Sequence, residues 1–159
     1  MAGERLIARG CRRLAFMGEV RTLELIERHR GLCAAAAAGL APPLQLDTHL
    51  ALDIMAAEIE ANLDRVAGAV DGIAAASDVI AATVIEALER RGIGVPRDVA
   101  VTGFDDLPLA ARSPVRLTTV RQDLTAGAAA MLSALFARIG GADAGSTQMA
   151  PVLVTRDSA

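Results

Sequence analysis

Two adjacent carboxylates, Asp105 and Asp106, follow the apolar run AVTGF at residues 100–104. A strand that stops at paired acids delivers them to the rim of a sheet. There they accept hydrogen bonds from a ligand or finish a turn, since aspartate also bonds its own backbone. Both readings stand for this pair. Two further polar clusters sit in equivalent places, Glu19 to Thr22 after LAFMG and Ser77-Asp78 after VDGIAAA. Either Ser77 or Asp78 also meets the requirement for a helix N-cap. Arg28 lies about one and a half turns into the helix that follows the first cluster. From that position a guanidinium reaches over the space beyond the strands and can fork onto a carboxylate or two hydroxyls. As a solvated charge it would pair with Glu24 or Asp105 instead.

Other chemistry has little to stand on. His29 and Cys33 are four apart on a helix, a metal-compatible spacing, but zinc needs three or four ligands and no further cluster accompanies them. A buried thiol beside a surface histidine is the simpler reading, and His49 is a lone residue near a helix start. No G-x-S-x-G elbow and no G-x-G-x-x-G loop follows a strand. All 16 basic residues are arginine, which removes Schiff-base catalysis and the phosphate loop that ends in Gly-Lys-Ser/Thr. No enzyme activity, cofactor or metal is therefore expected. The arginines are scattered among 19 acids for a net charge of -3, which argues against a nucleic-acid face within the chain. Cys11 and Cys33 form no framework of spacings, no run approaches the ~20 apolar residues of a membrane span, and the start MAGERLIARG lacks the features of a secretory signal. A cytoplasmic protein is expected.

The elements that must position these residues follow from periodicity. Short apolar runs alternate with longer helical stripes, the pattern of an α/β fold with a parallel sheet flanked by helices on both faces. Strands are predicted at Leu14–Met17, Leu44–Leu46, Val70–Ala76, Val99–Phe104, Leu117–Val120 and Val152–Thr155. Helices are predicted at Gly3–Ala8 and Leu23–Leu40, then along the stripe Leu52, Met55, Ile59 and Leu63. Another is opened by Ser77-Asp78, with Ile80, Val84, Ala87 and Leu88 on one face. A last helix, Leu124–Ile139, is capped by Asp123, with Met131, Leu132, Leu135, Phe136 and Ile139 inward. Leu107–Arg116 shows no regular pattern. In open parallel sheets ligands bind beyond the carboxyl ends of the strands, the edge that collects all three polar clusters. Phe16, Phe104 and Phe136 fall on core-facing positions, which leaves this chain no aromatic platform for a sugar ring.

The stretch AASDVIAATVIEALERRGIGVPRDVAVTGFDDLPLAARSPVRLTTVRQD, residues 75–123, resembles the effector-binding domain of the LacI/GalR family of bacterial transcriptional regulators. RLIARGCRRLAFMG resembles the usual start of that family's second subdomain, with Cys11 where histidine is common. ERHRGLCAA resembles its E-R-x-x-G helix, and MAPVLVTRDSA its closing strand.

The resemblance implies a type I periplasmic-binding-protein-like fold, with two α/β subdomains joined by crossover strands around a ligand cleft. It assigns residues 1–10 to the end of an N-terminal-subdomain helix, and 11–115 with 150–159 to the C-terminal effector-binding subdomain. Residues 116–149 are a crossover strand and helix of the N-terminal subdomain. Arg28, Ser77, Asp105 and Gln122 match family positions that often contact the effector, while Asp106 is expected to tie down the turn. The implied partners are a small polar effector such as a sugar, a second copy in a homodimer, and DNA only through a headpiece absent from this chain. Such a chain is expected to be a fragment, holding about half of a cleft. The apolar stripe of its last helix is then expected to drive self-association. The alternative on the same fold is a solute-binding protein of a sugar transporter.

Overall fold

The computed structural model describes the backbone of residues 1–159 and every side chain except that of Leu52, the first member of the third helix's predicted stripe. Helices and strands alternate as α1 (Ala2–Arg9), β1 (Leu14–Met17), α2 (Leu23–Ala36), β2 (Leu44–Leu46), α3 (Leu52–Arg65) and β3 (Gly72–Ala75). They continue as α4 (Asp78–Arg90), β4 (Ala100–Phe104), α5 (Pro108–Arg112), β5 (Thr118–Arg121), α6 (Leu124–Ile139) and β6 (Val152–Val154). The strands form one sheet in the order β2-β1-β3-β4-β5-β6. β1 to β5 are parallel, and β6 runs antiparallel to β5. The expected parallel sheet is thus mixed at one edge.

Every residue of β1 and β3 is buried, which requires cover on both faces of the sheet and explains why these runs read as continuously apolar. The core joins Phe16, Ile73 and Val101 from the strands to Ile80, Val84 and Leu88 of α4 and to Met55, Ile59 and Leu63 of α3. α1 closes against α2, where a Cβ on Gly3 would meet Leu32 and Ala35 at 2.9 Å. The chain end is pinned beside the amino-terminal ends of β4 and β5. The Ser158 hydroxyl donates to the Val101 carbonyl at 2.6 Å and accepts from the Thr118 amide at 2.9 Å. No described helix is long and apolar enough to cross a membrane.

Several expectations are corrected. α2 stops at Ala36, because the amides of Gly39 and Leu40 turn back onto the Ala36 carbonyl. The stretch from Leu107 contains a helix of five residues, α5, too short to show periodicity, with Pro108 at its first turn. Thr118–Arg121, read as strand or crossover, pairs with β4 as a strand of this sheet. No residue of α6 is buried. Met131, Leu132, Leu135, Phe136 and Ile139 are all exposed instead of inward, and among the described residues none covers them. Cys33 is half-buried, with its Sγ 3.6 Å from His29 Nε2, and the His29 ring meets Phe16 edge-on. The buried thiol is Cys11.

Candidate functional site

β1, β3 and β4 end at one rim, and the loops beyond them meet around a recess of about 340 Å³ lined by Glu19, Arg28, Ser77 and Asp105 among others. The parallel order β1-β3-β4 brings this about, since each strand delivers the residue after its carboxyl end to the same edge. Three of the four residues picked from the sequence, Arg28, Ser77 and Asp105, therefore share one wall. The fourth, Gln122, is exposed beyond β5 and lines an adjoining recess of about 370 Å³. Phe104 also lines that second recess, and the Arg28 guanidinium lies over its ring.

Arg28 is held from three sides. Its Nη1 donates to the Ala76 carbonyl at 2.6 Å, its Nη2 is 3.9 Å from Asp105 Oδ1, and its guanidinium carbon is 3.6 Å from the Phe104 ring centroid. Burial lowers the Arg28 pKa, opposed by the charges of Asp105 and Glu24. Burial likewise pushes the Asp105 carboxyl up, opposed by Arg28. Each group is thus partly desolvated, and the other is its nearest electrostatic compensation. Ser77 is the N-cap of α4, its hydroxyl accepting from the Ile80 amide at 3.3 Å. Capping and a place in the recess coexist, because the hydroxyl hydrogen is not used by the cap.

The paired aspartates divide their work. Both have positive φ, 109° at Asp105 and 55° at Asp106, a turn that short polar side chains tolerate better than most. Asp106 accepts from Arg156 Nη2 at 2.6 Å and faces Arg121 Nη1 at 3.5 Å. It ties the turn to β5 and to the chain beyond β6. Asp105 makes no such bond through its side chain beyond the long contact with Arg28, and it faces the recess.

Three residues at this rim have surroundings that the sequence reading did not foresee. Asp78, read as a cap, is fully buried. It accepts from Thr119 Oγ1 at 2.5 Å and from the Leu107 amide at 2.7 Å. Burial raises its pKa, although both bonds pull the other way. Gly103 permits this arrangement, since a Cβ there would run into the Asp78 carboxylate and come within 2.8 Å of Leu117. Phe104, assigned to the core, is half-exposed at the rim because β4 ends there. Its place immediately before Asp105 was the available signal. Glu19 stands at the end of β1 with its carboxylate 2.6 Å from Arg21 and 3.4 Å from His49. His49 stands just before the start of α3, as expected, and bonds Glu58 at 2.8 Å.

The doubly flanked, mostly parallel sheet with a polar wall at its carboxyl rim is an α/β domain of the periplasmic-binding-protein-like kind. The chain belongs to the periplasmic binding protein-like domain family, which matches residues 4–159, and its relatives there are regulators of the LacI type. The HTH-type transcriptional regulator MalR of Streptomyces coelicolor is 41% identical over 88 residues, 54% of this chain and 26% of that protein. The HTH-type transcriptional regulator GntR of Pseudomonas aeruginosa is 35% identical over 124 residues, 76% of this chain and 36% of that protein. Among solved structures, the transcriptional regulator CelR–cellobiose complex aligns with TM-score 0.91 and 31% identity over 99% of this chain and 50% of that one. A sugar-binding LacI-family regulator from Escherichia coli complexed with phosphate aligns with TM-score 0.85 and 29% identity, covering 98% and 58% of the two chains. The matched part is about a quarter to a third of the curated relatives and about half of the solved chains.

Proposed function

We propose that this chain is the effector-binding part of a cytoplasmic, non-enzymatic LacI-type transcriptional regulator. A small polar effector, a sugar or similar metabolite, sits against Arg28, Ser77, Asp105 and Gln122 and is closed in by a second subdomain. The helix α6 and the chain that returns from it belong to that second subdomain, and residues 11–115 and 150–159 to the wall described above. Closure around the effector shifts a homodimer between DNA-binding and released states, by an amount set by the effector's differential affinity for the two. DNA is contacted through a headpiece outside the 159 residues.

The observation that carries the reading is the half-buried Arg28–Asp105 pair, 3.9 Å apart and opening into a recess. A pair held at that distance instead of in a close ion pair leaves donor and acceptor edges for a third, polar partner. The relatives named above are regulators and not transport proteins, which favours this reading over the solute-binding one. The test is a calorimetric screen of the full-length protein against sugars, nucleosides and small acids, followed by operator binding with and without the hit. The reading expects one compound to bind and to change DNA affinity. Binding with no effect on DNA would overturn the regulatory role.

A further inference from the structure

We propose that Asp78 is a positioning residue for this wall: without lining the recess, its buried carboxylate fixes the turn that aims Asp105 into it and registers that turn against Ser77. The inference rests on the effector-binding role proposed above and adds to it a residue that acts from behind the site.

The turn after β4 needs an anchor. Asp105 and Asp106 are consecutive residues with φ of 109° and 55°, and non-glycine residues in this region persist where their surroundings hold them. Three hydrogen bonds do so. The Asp105 amide donates to the Val120 carbonyl at 2.9 Å, the Asp106 carboxylate accepts from Arg156 Nη2 at 2.6 Å, and the Leu107 amide donates to Asp78 Oδ2 at 2.7 Å. The first two bind the turn to β5 and to the chain beyond β6. The third runs to α4, whose N-cap Ser77 shares the recess with Asp105. Two adjacent residues at the start of α4 thus serve the wall in different ways. Ser77 lines the recess, and Asp78 holds in place the loop that carries Asp105.

Helix capping does not account for Asp78. Ser77 already caps α4 by accepting from the Ile80 amide, and the Asp78 oxygens accept from residues 29 and 41 positions away in sequence. Its surroundings do not favour an acid as such, for Asp78 is fully buried and burial raises its pKa. What the carboxylate supplies is a rigid link. Thr119, in register with Gly103 on the neighbouring strand, donates to Oδ1, and a Cβ on Gly103 would run into that same oxygen. The carboxylate is therefore seated against the β4–β5 pair, and its second oxygen passes that fixed position to Leu107. Binding groups keep a productive geometry when the residues behind them are locked by packing and hydrogen bonds.

The test uses the full-length protein and the variants Asp78→Ala, Asp78→Asn and Thr119→Val, each first shown to be folded by circular dichroism. Affinity is measured by calorimetric titration with glucose, cellobiose, ribose and gluconate, and amide exchange is followed by mass spectrometry in the peptide 103–110. The panel member that binds the wild type is expected to lose at least about tenfold in affinity for Asp78→Ala and about threefold for Thr119→Val, with faster exchange of the turn in both. Asp78→Asn keeps an acceptor for Leu107 and a polar partner for Thr119, and is expected to stay within about twofold of the wild type. A residue that only stabilises the fold leaves the affinity of the folded protein unchanged, so wild-type affinity in Asp78→Ala overturns the positioning role. Should Asp78→Ala not fold, Thr119→Val carries the test, and wild-type affinity and exchange there overturn it equally. Absence of binding by every panel member at millimolar concentration counts against the effector-binding role, and exchange of the turn in Thr119→Val then decides the positioning role by itself.

Discussion

The guanidinium of Arg28 lies over the ring of Phe104, 3.6 Å from its centroid, while its Nη1 reaches across to the carbonyl of Ala76 at the end of β3. One side chain from α2 thereby joins the carboxyl ends of two neighbouring strands and fixes the geometry of the wall before any ligand arrives. Preorganisation of this kind lowers the ordering cost of binding.

The two residues should therefore couple energetically. Phe104→Leu removes the ring but keeps the bulk, and is expected to weaken effector binding by about 1 kcal/mol through loss of the cation–π contact. A double-mutant cycle with Arg28→Ala, read by calorimetry, should give a coupling energy well above error. Additive losses would separate the two residues.

Asp78 carries a testable pH dependence. Its pKa is raised in the folded state by burial, so the fold favours the protonated form. Its contribution is full below the ordinary carboxyl value and is lost as pH rises through the higher folded value. Asp78→Asn removes that titration, so the stability difference between wild type and variant should move against the wild type from about pH 4 upward. Urea unfolding at a series of pH values measures it. Asp78→Ala strands the Thr119 hydroxyl and the Leu107 amide and is expected to cost about 3 kcal/mol.

Much of this was legible in the sequence, and the gaps have physical causes. The switching period placed all six strands within a few residues, the rule that ligands sit beyond parallel strands pointed to the polar clusters at Glu19, Ser77 and Asp105, and the family resemblance picked Arg28, Ser77 and Asp105, which share one recess, with Gln122, which lines another. Asp78 was misread because a Ser-Asp pair at a helix start obeys the local capping rule. Its partner Thr119 lies 41 residues away, beyond any local pattern. Phe104 was misread because β4 is buried on both faces, so alternation carries no information about where burial ends. The stripe of α6 was correctly seen as apolar and wrongly placed inward, since periodicity reports that a face is apolar and not what covers it.

Backbone strain and binding should separate at Asp105. Its φ of 109° suits glycine, so Asp105→Gly is expected to hold or slightly raise the melting temperature, whereas Asp105→Ala costs about 1 kcal/mol of stability. Both should abolish the effector response in the full-length protein. Thermal unfolding and operator-release assays on the two variants read the two effects independently.

The exposed face of α6 has a consequence for the 159-residue chain by itself. Leu124, Met131, Phe136 and Ile139 are each more than 65% exposed, at 73%, 73%, 67% and 73%. A contiguous apolar surface of this kind drives association. Sedimentation at rising concentration is expected to show dimers or larger species, and Met131→Glu/Leu135→Glu should return the chain to monomer. A wild-type chain that stays monomeric at high concentration would count against it.

The central claim is that Arg28 and Asp105 form the polar wall of an effector site, and it is tested most directly by the affinity of the full-length Arg28→Ala protein for its effector. Loss of a charged hydrogen bond from a half-buried guanidinium is expected to weaken binding by about 2 to 3 kcal/mol with the fold retained. An affinity equal to that of the wild type would place Arg28 outside the site and contradict the claim.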